Sequence, residues 1–153
     1  MKAIVLLNAA AGQAAANSAA DARHREVAAA LAAHNIQADL RPAEGAKLAD
    51  AAKAAIDEHP DAVIAVGGDG TVSAVASALA GSDVPMGVIP LGTLNHFAKD
   101  LGLPLDLTEA ARVVAARNVA QVDVGRVNDR LFVNNSSIGL YPQVVRKRDQ
   151  IRE

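Results

Sequence analysis

Cysteine is absent from this 153-residue chain. That excludes a disulfide scaffold, a Cys-ligated zinc site and a thiol nucleophile. Tryptophan is absent too, and the aromatic residues come down to Phe97, Phe132 and Tyr141. Three rings cannot build the stacking platforms of single-strand nucleic-acid binders. An excess of basic charge is also missing. The net charge is −2 and the pI near 6.1, the wrong sign for a nucleic-acid-binding domain. Long apolar runs are lacking as well. Met1-Lys2 followed by Ala3–Leu7 imitates the start of a signal peptide, but the run breaks at Asn8 after five residues. An h-region needs about 7–15. Residues 3–20 carry no charge, yet Asn8, Gly12, Gln13, Asn17 and Ser18 make them too polar to span a bilayer. The chain reads as cytoplasmic, with contact at a membrane surface left open. Its four histidines, His24, His34, His59 and His96, are scattered and form no metal-binding pattern.

What is abundant is small and aliphatic. Hydrophobic residues make up 51%, and 35 residues are alanine. Such a core must come from closely packed helices and aliphatic strands. Ala3–Leu7 is a continuous apolar run, as in a strand buried on both faces of a parallel sheet. Helical patterns over Asp21–His34 and Lys47–Glu58 flank a half-buried strand at Ile36–Arg41, whose alternation suits an edge. His59-Pro60 stops the second helix. Ala62–Val66 predicts a third strand, Thr71–Ala80 a helix closed by Gly81, and Met86–Ile89 a fourth strand. A short helix over Asn95–Leu101 ends at Gly102 and Pro104, and Thr108 is expected to cap a helix reaching Arg117. This order predicts an α/β fold, an open and mainly parallel sheet with helices on both faces. Near Val122 the pattern changes. Val122–Val127 and Arg130–Asn134 read as two strands joined at Asn128-Asp129. Residues 1–122 carry net −4 and residues 123–153 net +2. The expectation is an α/β domain over 1–122 and the start of an antiparallel β region over 123–153. Open hairpin edges would allow a homodimer by strand exchange.

The segment Val63-Ile64-Ala65-Val66-Gly67-Gly68-Asp69-Gly70-Thr71-Val72 carries the chemistry. A buried strand enters a glycine-rich turn and then a helix. Backbone N–H groups can approach an anion there, and the helix points its positive end at the same place. No Gly-Lys-Ser/Thr follows, so this is not a Walker loop. Thr71 can cap the helix or donate to a phosphate oxygen. Asp69 would repel bare phosphate, which makes sense if it holds Mg²⁺ or bonds a ribose. The alternative is a structural turn in which Asp69 satisfies loop amides. Pro90-Leu91-Gly92-Thr93-Leu94-Asn95 repeats the arrangement after the fourth strand, and Asn8 with Ala9–Gly12 adds a third small-residue loop. Loops at the carboxyl ends of neighbouring strands line one crevice in an open α/β sheet.

Gly67-Gly68-Asp69-Gly70-Thr71, with Pro90-Leu91-Gly92-Thr93-Leu94-Asn95-His96-Phe97-Ala98 and then Gly102-Leu103-Pro104, resembles the two signatures of the diacylglycerol kinase catalytic domain family. Sphingosine kinases and bacterial lipid kinases belong to it. NAD kinases and phosphofructokinases share the first signature and the fold it implies, but not the second. The resemblance covers nearly the whole chain. It implies a nucleotide-binding domain followed by a β-sandwich domain from about Asp123, and transfer of the γ-phosphoryl group of ATP to a lipid hydroxyl. It implies ATP and Mg²⁺ as cofactors and a diacylglycerol-like acceptor met at a membrane surface. Gly67, Gly68 and Gly70 would bind phosphate through the backbone, and Asp69 would act on the Mg²⁺-nucleotide. Thr71 and Thr93 would bond phosphate or ribose, and Asn8 the nucleotide. Asn95 would brace the two loops, and Gly12, Val72, Ser73 and Gly92 complete the nucleotide set. The family's general base and structural Mg²⁺ site would fall beyond Glu153, so this stretch alone is expected to bind nucleotide weakly and transfer nothing.

The chain also departs from the family pattern. Asn8-Ala9-Ala10-Ala11-Gly12 stands where the family has Asn-Pro-x-Ser-Gly, Ala43 where it has Thr, and His96 where it commonly has Asp. These losses keep a second reading in view, a non-catalytic nucleotide-binding or regulatory module. As a helix-start residue, His96 reads as structural rather than catalytic. Receiver and flavodoxin readings fail on the first loop, which lacks both acidic residues and hydroxyls. The basic stretch Arg146-Lys147-Arg148 reads as a solvated helix face.

Overall fold

A computed structural model describes residues 1–8, 16–128 and 130–134, and the statements below concern these. Strand β1 (Lys2–Asn8) leads to helix α1 (Ala16–Ala33), then to β2 (Gln37–Ala43) and α2 (Ala46–Asp57). Next come β3 (Ala62–Gly67), α3 (Asp69–Leu79) and β4 (Met86–Pro90). Two further helices follow, α4 (His96–Asp100) and α5 (Leu107–Ala116), and then a short hairpin of β5 (Gly125–Val127) and β6 (Arg130–Phe132).

The four long strands form one sheet in the order β2-β1-β3-β4, and every pairing is parallel. β5 and β6 pair antiparallel. The order reverses at β1, since the chain leaves it for β2 on one side and reaches β3 on the other. In an open α/β sheet the crevice at such a reversal is where ligands bind.

The apolar runs follow from burial on both faces. Ala3, Val5 and Leu7 of β1 pack with Ile64 and Val66 of β3 under α1 and α5. Their neighbours Ile4, Leu6, Val63 and Ala65 pack under α2, α3 and α4. Both central strands therefore need apolar residues at every position. Alanine lets the helices sit close, and Ala52, Ala55 and Ala111 are wholly buried. At the edge, β2 alternates as expected, with Ala38 and Leu40 packed against the α1 side. Its polar face is held by Arg41, which donates to both Asp39 and Glu58 at 2.6 Å.

Four expectations need correction. Helix α1 begins at Ala16, five residues before Asp21. Helix α3 begins at Asp69, two residues before Thr71, and its N-cap is Gly68. Thr71 therefore cannot serve as the cap. Helix α5 is capped by Asp106 rather than Thr108, because the Asp106 carboxylate reaches the N–H groups of Thr108 and Glu109 at 2.9 and 3.0 Å. The hairpin strands are shorter than the sequence suggested, and residues 122–124 lie outside β5.

Candidate nucleotide site

The carboxyl ends of the strands bring Asn8, Ala43, Gly67 and Pro90 to one edge of the sheet, in adjacent registers. Two corners meet there. The Leu91 N–H donates to the Gly67 carbonyl at 3.0 Å, extending the β3–β4 ladder past the strands. One residue further on, the two chains cross glycine on glycine. A Cβ built on Gly68 would lie 3.1 Å from the Gly92 Cα, and one on Gly92 would strike the Gly68 backbone. At Gly67 a Cβ would come within 2.5 Å of Thr71 Oγ1. Only glycine permits this approach at 68 and 92.

The first hydrogen bond inside α3 runs from the Val72 N–H to the Gly68 carbonyl at 3.1 Å. The N–H groups of Asp69, Gly70 and Thr71 thus have no partner within the helix. No side chain caps them. They leave a backbone donor set at the positive end of a helix, the arrangement that attracts phosphate. Gly70 is exposed and has nothing within 4 Å of a Cβ position. Thr71 is 2% exposed, and its hydroxyl is buried without a partner among the described residues.

Asp69 acts between the corners. Its Oδ1 accepts from the Phe97 N–H at 3.1 Å and from Asn134 Nδ2 at 3.0 Å. Burial pushes this carboxyl up, but the N–H groups of Phe97 and His96, the Asn134 amide and the His96 charge outweigh it. It therefore sits below the usual aspartate range and is ionised at neutral pH. Asp69 fills the structural alternative set out above, except that the amides it satisfies belong mainly to the neighbouring corner. Asn95, expected to join the two loops, closes only its own. Its Oδ1 accepts from the Gly92 N–H at 2.9 Å and its Nδ2 donates to the Gly92 carbonyl at 2.7 Å. The left-handed backbone of Asn95, at φ 52°, makes this turn and starts α4.

The remaining sequence candidates are placed unevenly. Asn8 is half-buried at the tip of β1, and Thr93 is exposed on the second corner. Ser73 is half-buried on α3, while Val72 belongs to the core beneath that helix. Gly12 lies outside the described residues. Phe97 and Asn134 were missed. The amide of Phe97 leaves no trace in the residue type. For Asn134 the available signal was the polar run Asn134-Asn135-Ser136-Ser137, which breaks the apolar pattern directly after the hairpin.

The family model described as the diacylglycerol kinase catalytic domain matches residues 2–127. The chain belongs to this family. Among relatives of the diacylglycerol kinase family, the diacylglycerol kinase of Staphylococcus epidermidis strain RP62A is 38% identical over 103 residues, 64% of this chain and 33% of its own length. A Klebsiella pneumoniae protein named "Probable lipid kinase YegS-like" is 41% identical over 88 residues, 56% of this chain and 30% of its own length. A crystal structure of a diacylglycerol kinase from Bacillus anthracis superposes with a TM-score of 0.69 at 28% identity, covering 86% of this chain and 45% of that one. The chain thus spans about a third of the length of these curated relatives.

Membership of a kinase family implies a nucleotide and a divalent metal, and the residues present can be tested against both. Phosphate fits. Three free amides at a helix N-terminus, beside a crossing that only glycine can make, form a cradle that side chains would fill. For the metal, no group of three or more acidic or histidine side chains occurs among the described residues. A Mg²⁺ ion would arrive with the nucleotide, taking most of its ligands from phosphate and water. Among the described residues no helix is long and apolar enough to cross a membrane.

Proposed function

We propose that this chain is the nucleotide-binding part of an ATP-dependent lipid kinase. One observation carries the reading. The uncapped amides of Asp69, Gly70 and Thr71 open beside the Gly68–Gly92 crossing, next to the reversal of strand order. The backbone at Gly67, Gly68 and Gly70 would hold the ATP phosphates, and a Mg²⁺ ion carried by the nucleotide would offset their charge. Asn8, Gly12, Ser73 and Thr93 would bound the rest of the nucleotide. The γ-phosphoryl group would leave the β-phosphate oxygen and bond to the hydroxyl oxygen of a diacylglycerol-like lipid, while a base takes the hydroxyl proton. Phosphoryl transfer needs mainly positioning and charge stabilisation. Acceptor and base would be provided by a second domain opening near Asp123. The stretch described here supports nucleotide binding without turnover.

The test is calorimetry with Mg-ATP, followed by transfer of labelled γ-phosphate to diacylglycerol in vesicles by the full-length enzyme. Binding with transfer is expected. No heat with Mg-ATP would overturn the reading. The alanines at 9–11 and the engagement of Asp69 by backbone amides favour the second reading, a nucleotide-binding regulatory module. Binding without lipid phosphorylation by the full-length protein would select it.

A further inference from the structure

We infer that Asn134 is a positioning residue of the nucleotide site: it holds the Asp69 carboxylate against the Phe97 N–H, so that the 67–71 and 95–97 corners keep one spacing. This inference rests on the nucleotide reading given above.

The geometry joins three distant parts of the sequence at a single oxygen. Asp69 Oδ1 accepts from Phe97, 28 residues on, and from Asn134, 65 residues on. The segment bearing Asn134 is itself fastened to α3. Ser77 Oγ donates to the Leu131 carbonyl at 3.3 Å, and Val133 packs against the core on the α3 side of the sheet. Ser77 and Asp69 are eight residues apart on one helix, about 12 Å of rise. Leu131 and Asn134 are three residues apart, about 10 Å if extended. The segment therefore runs along α3 towards its N-terminus, with Leu131 beside Ser77 and Asn134 beside Asp69.

The orientation of the Asn134 amide is fixed by its neighbour. Its Oδ1 is buried and accepts from no donor among the described residues. Turning the amide over would place that oxygen against a carboxylate oxygen, a contact of two acceptors. The Nδ2 therefore faces Asp69. With Asn134 gone, Asp69 keeps the backbone donors of the 96–97 corner but loses its one side-chain donor among the described residues. The carboxylate is then held from one side alone, and the corner that frames the amides of residues 69–71 loosens with it.

A hydrogen bond to a charged group is stronger than one between neutral groups, and half-burial moderates this one. Asn134→Ala in the full chain should bind Mg-ATP about tenfold more weakly by calorimetry. The amide resonance of Phe97 should move in the same variant. Ser77→Ala loosens the other fastening of the segment and should change affinity by less than about twofold, with Phe97 unmoved. Asn134→Asp sets two carboxylates together and should bind as poorly as Asn134→Ala. Asn134→Gln keeps an amide donor within reach of Asp69 Oδ1, so much of the affinity should return. That recovery is one a merely structural anchor would not give. Asn134→Ala binding like the wild type overturns the inference alone, as do equal losses in Asn134→Ala and Ser77→Ala. A wild type that does not bind Mg-ATP overturns the nucleotide reading and this role with it.

Discussion

At position 67 a methyl group would lie 2.5 Å from Thr71 Oγ1, inside a fully buried corner. Thr71 is fixed in the first turn of α3 and cannot swing clear. Gly67→Ala should destabilise the protein by about 2 kcal/mol, as overpacking does, read as a lower urea midpoint. Three residues on, the same change has the opposite sign. A Cβ on Gly70 meets nothing within 4 Å, and alanine is the better helix former. Gly70→Ala should raise stability by about 0.5 kcal/mol while weakening Mg-ATP binding by calorimetry, since the methyl crowds the amides offered to phosphate. Asp69 gives a pH signature. Its folded carboxyl titrates below the usual range because the Phe97, His96 and Asn134 donors and the His96 charge outweigh burial. The stability it contributes is present above the unfolded carboxyl value of about 3.9 and is lost as pH falls through the lower folded value. Asp69→Asn should therefore be less stable than the wild type at pH 7, with the gap closing below about pH 4. A gap constant with pH would contradict the assignment. Both glycine signatures were legible as sequence, because glycine marks a backbone that side chains cannot share. The partners of Asp69 were not, because one is a backbone amide and the other lies 65 residues away.

Among the elements, the start of α5 shows how local chemistry misleads by two residues. Thr108 and Asp106 are both good N-cap residues, and the apolar period cannot choose between them. The structure chooses Asp106, whose Oδ1 accepts from two first-turn amides. Asp106→Ala should cost about 1 kcal/mol in chemical denaturation and Thr108→Ala less than about half of that. Equal costs would restore Thr108 as the cap. The helix matters to the site only indirectly. Its Ala110 and Ala111 lie in the core formed by β1, β3 and Ile89 of β4, so fraying there loosens the floor of the crevice and not its donors. Element types were readable because the buried strands run continuously apolar and α2 and α5 carry a clear 3.6 period. Boundaries moved where a cap or a tight turn set them. Asp69 enters α3 early because Gly68 is extended and lets the helix begin at once.

At the scale of the molecule, the strand order decides where a ligand can sit. β1 and β3 lie inside the sheet, and the strand order reverses between them, which is where an open α/β sheet has its ligand crevice. Sequence order alone implied a parallel sheet, and the loops' shared edge followed from it. That the corner after β3 and the corner after β4 touch was not implied, because contact depends on two glycines approaching through space. The opposite edge carries Lys2, Gln37, Ala62 and Met86, where the strands begin. It has its own polar pair, the Asp61 carboxylate accepting from the Lys2 N–H at 2.7 Å, which could be mistaken for a site. The two edges make separate predictions for amide hydrogen exchange. Saturating Mg-ATP should slow exchange at residues 68–71, where amides lack helical partners, and at 91–97, which are held to them through Gly67 and Asp69. Amides at 36–38 and 61–62 should exchange at unchanged rates, because ligand contacts end at the carboxyl edge of the sheet. Slowing confined to 36–38 and 61–62 would move the ligand to the wrong end of the sheet. Uniform slowing across both edges would mean global stabilisation by mass action, and the two patterns separate when exchange is repeated with urea present. There, global protection falls with urea for every amide together, whereas contacts made at 68–71 and 91–97 keep those amides slow relative to the rest of the sheet.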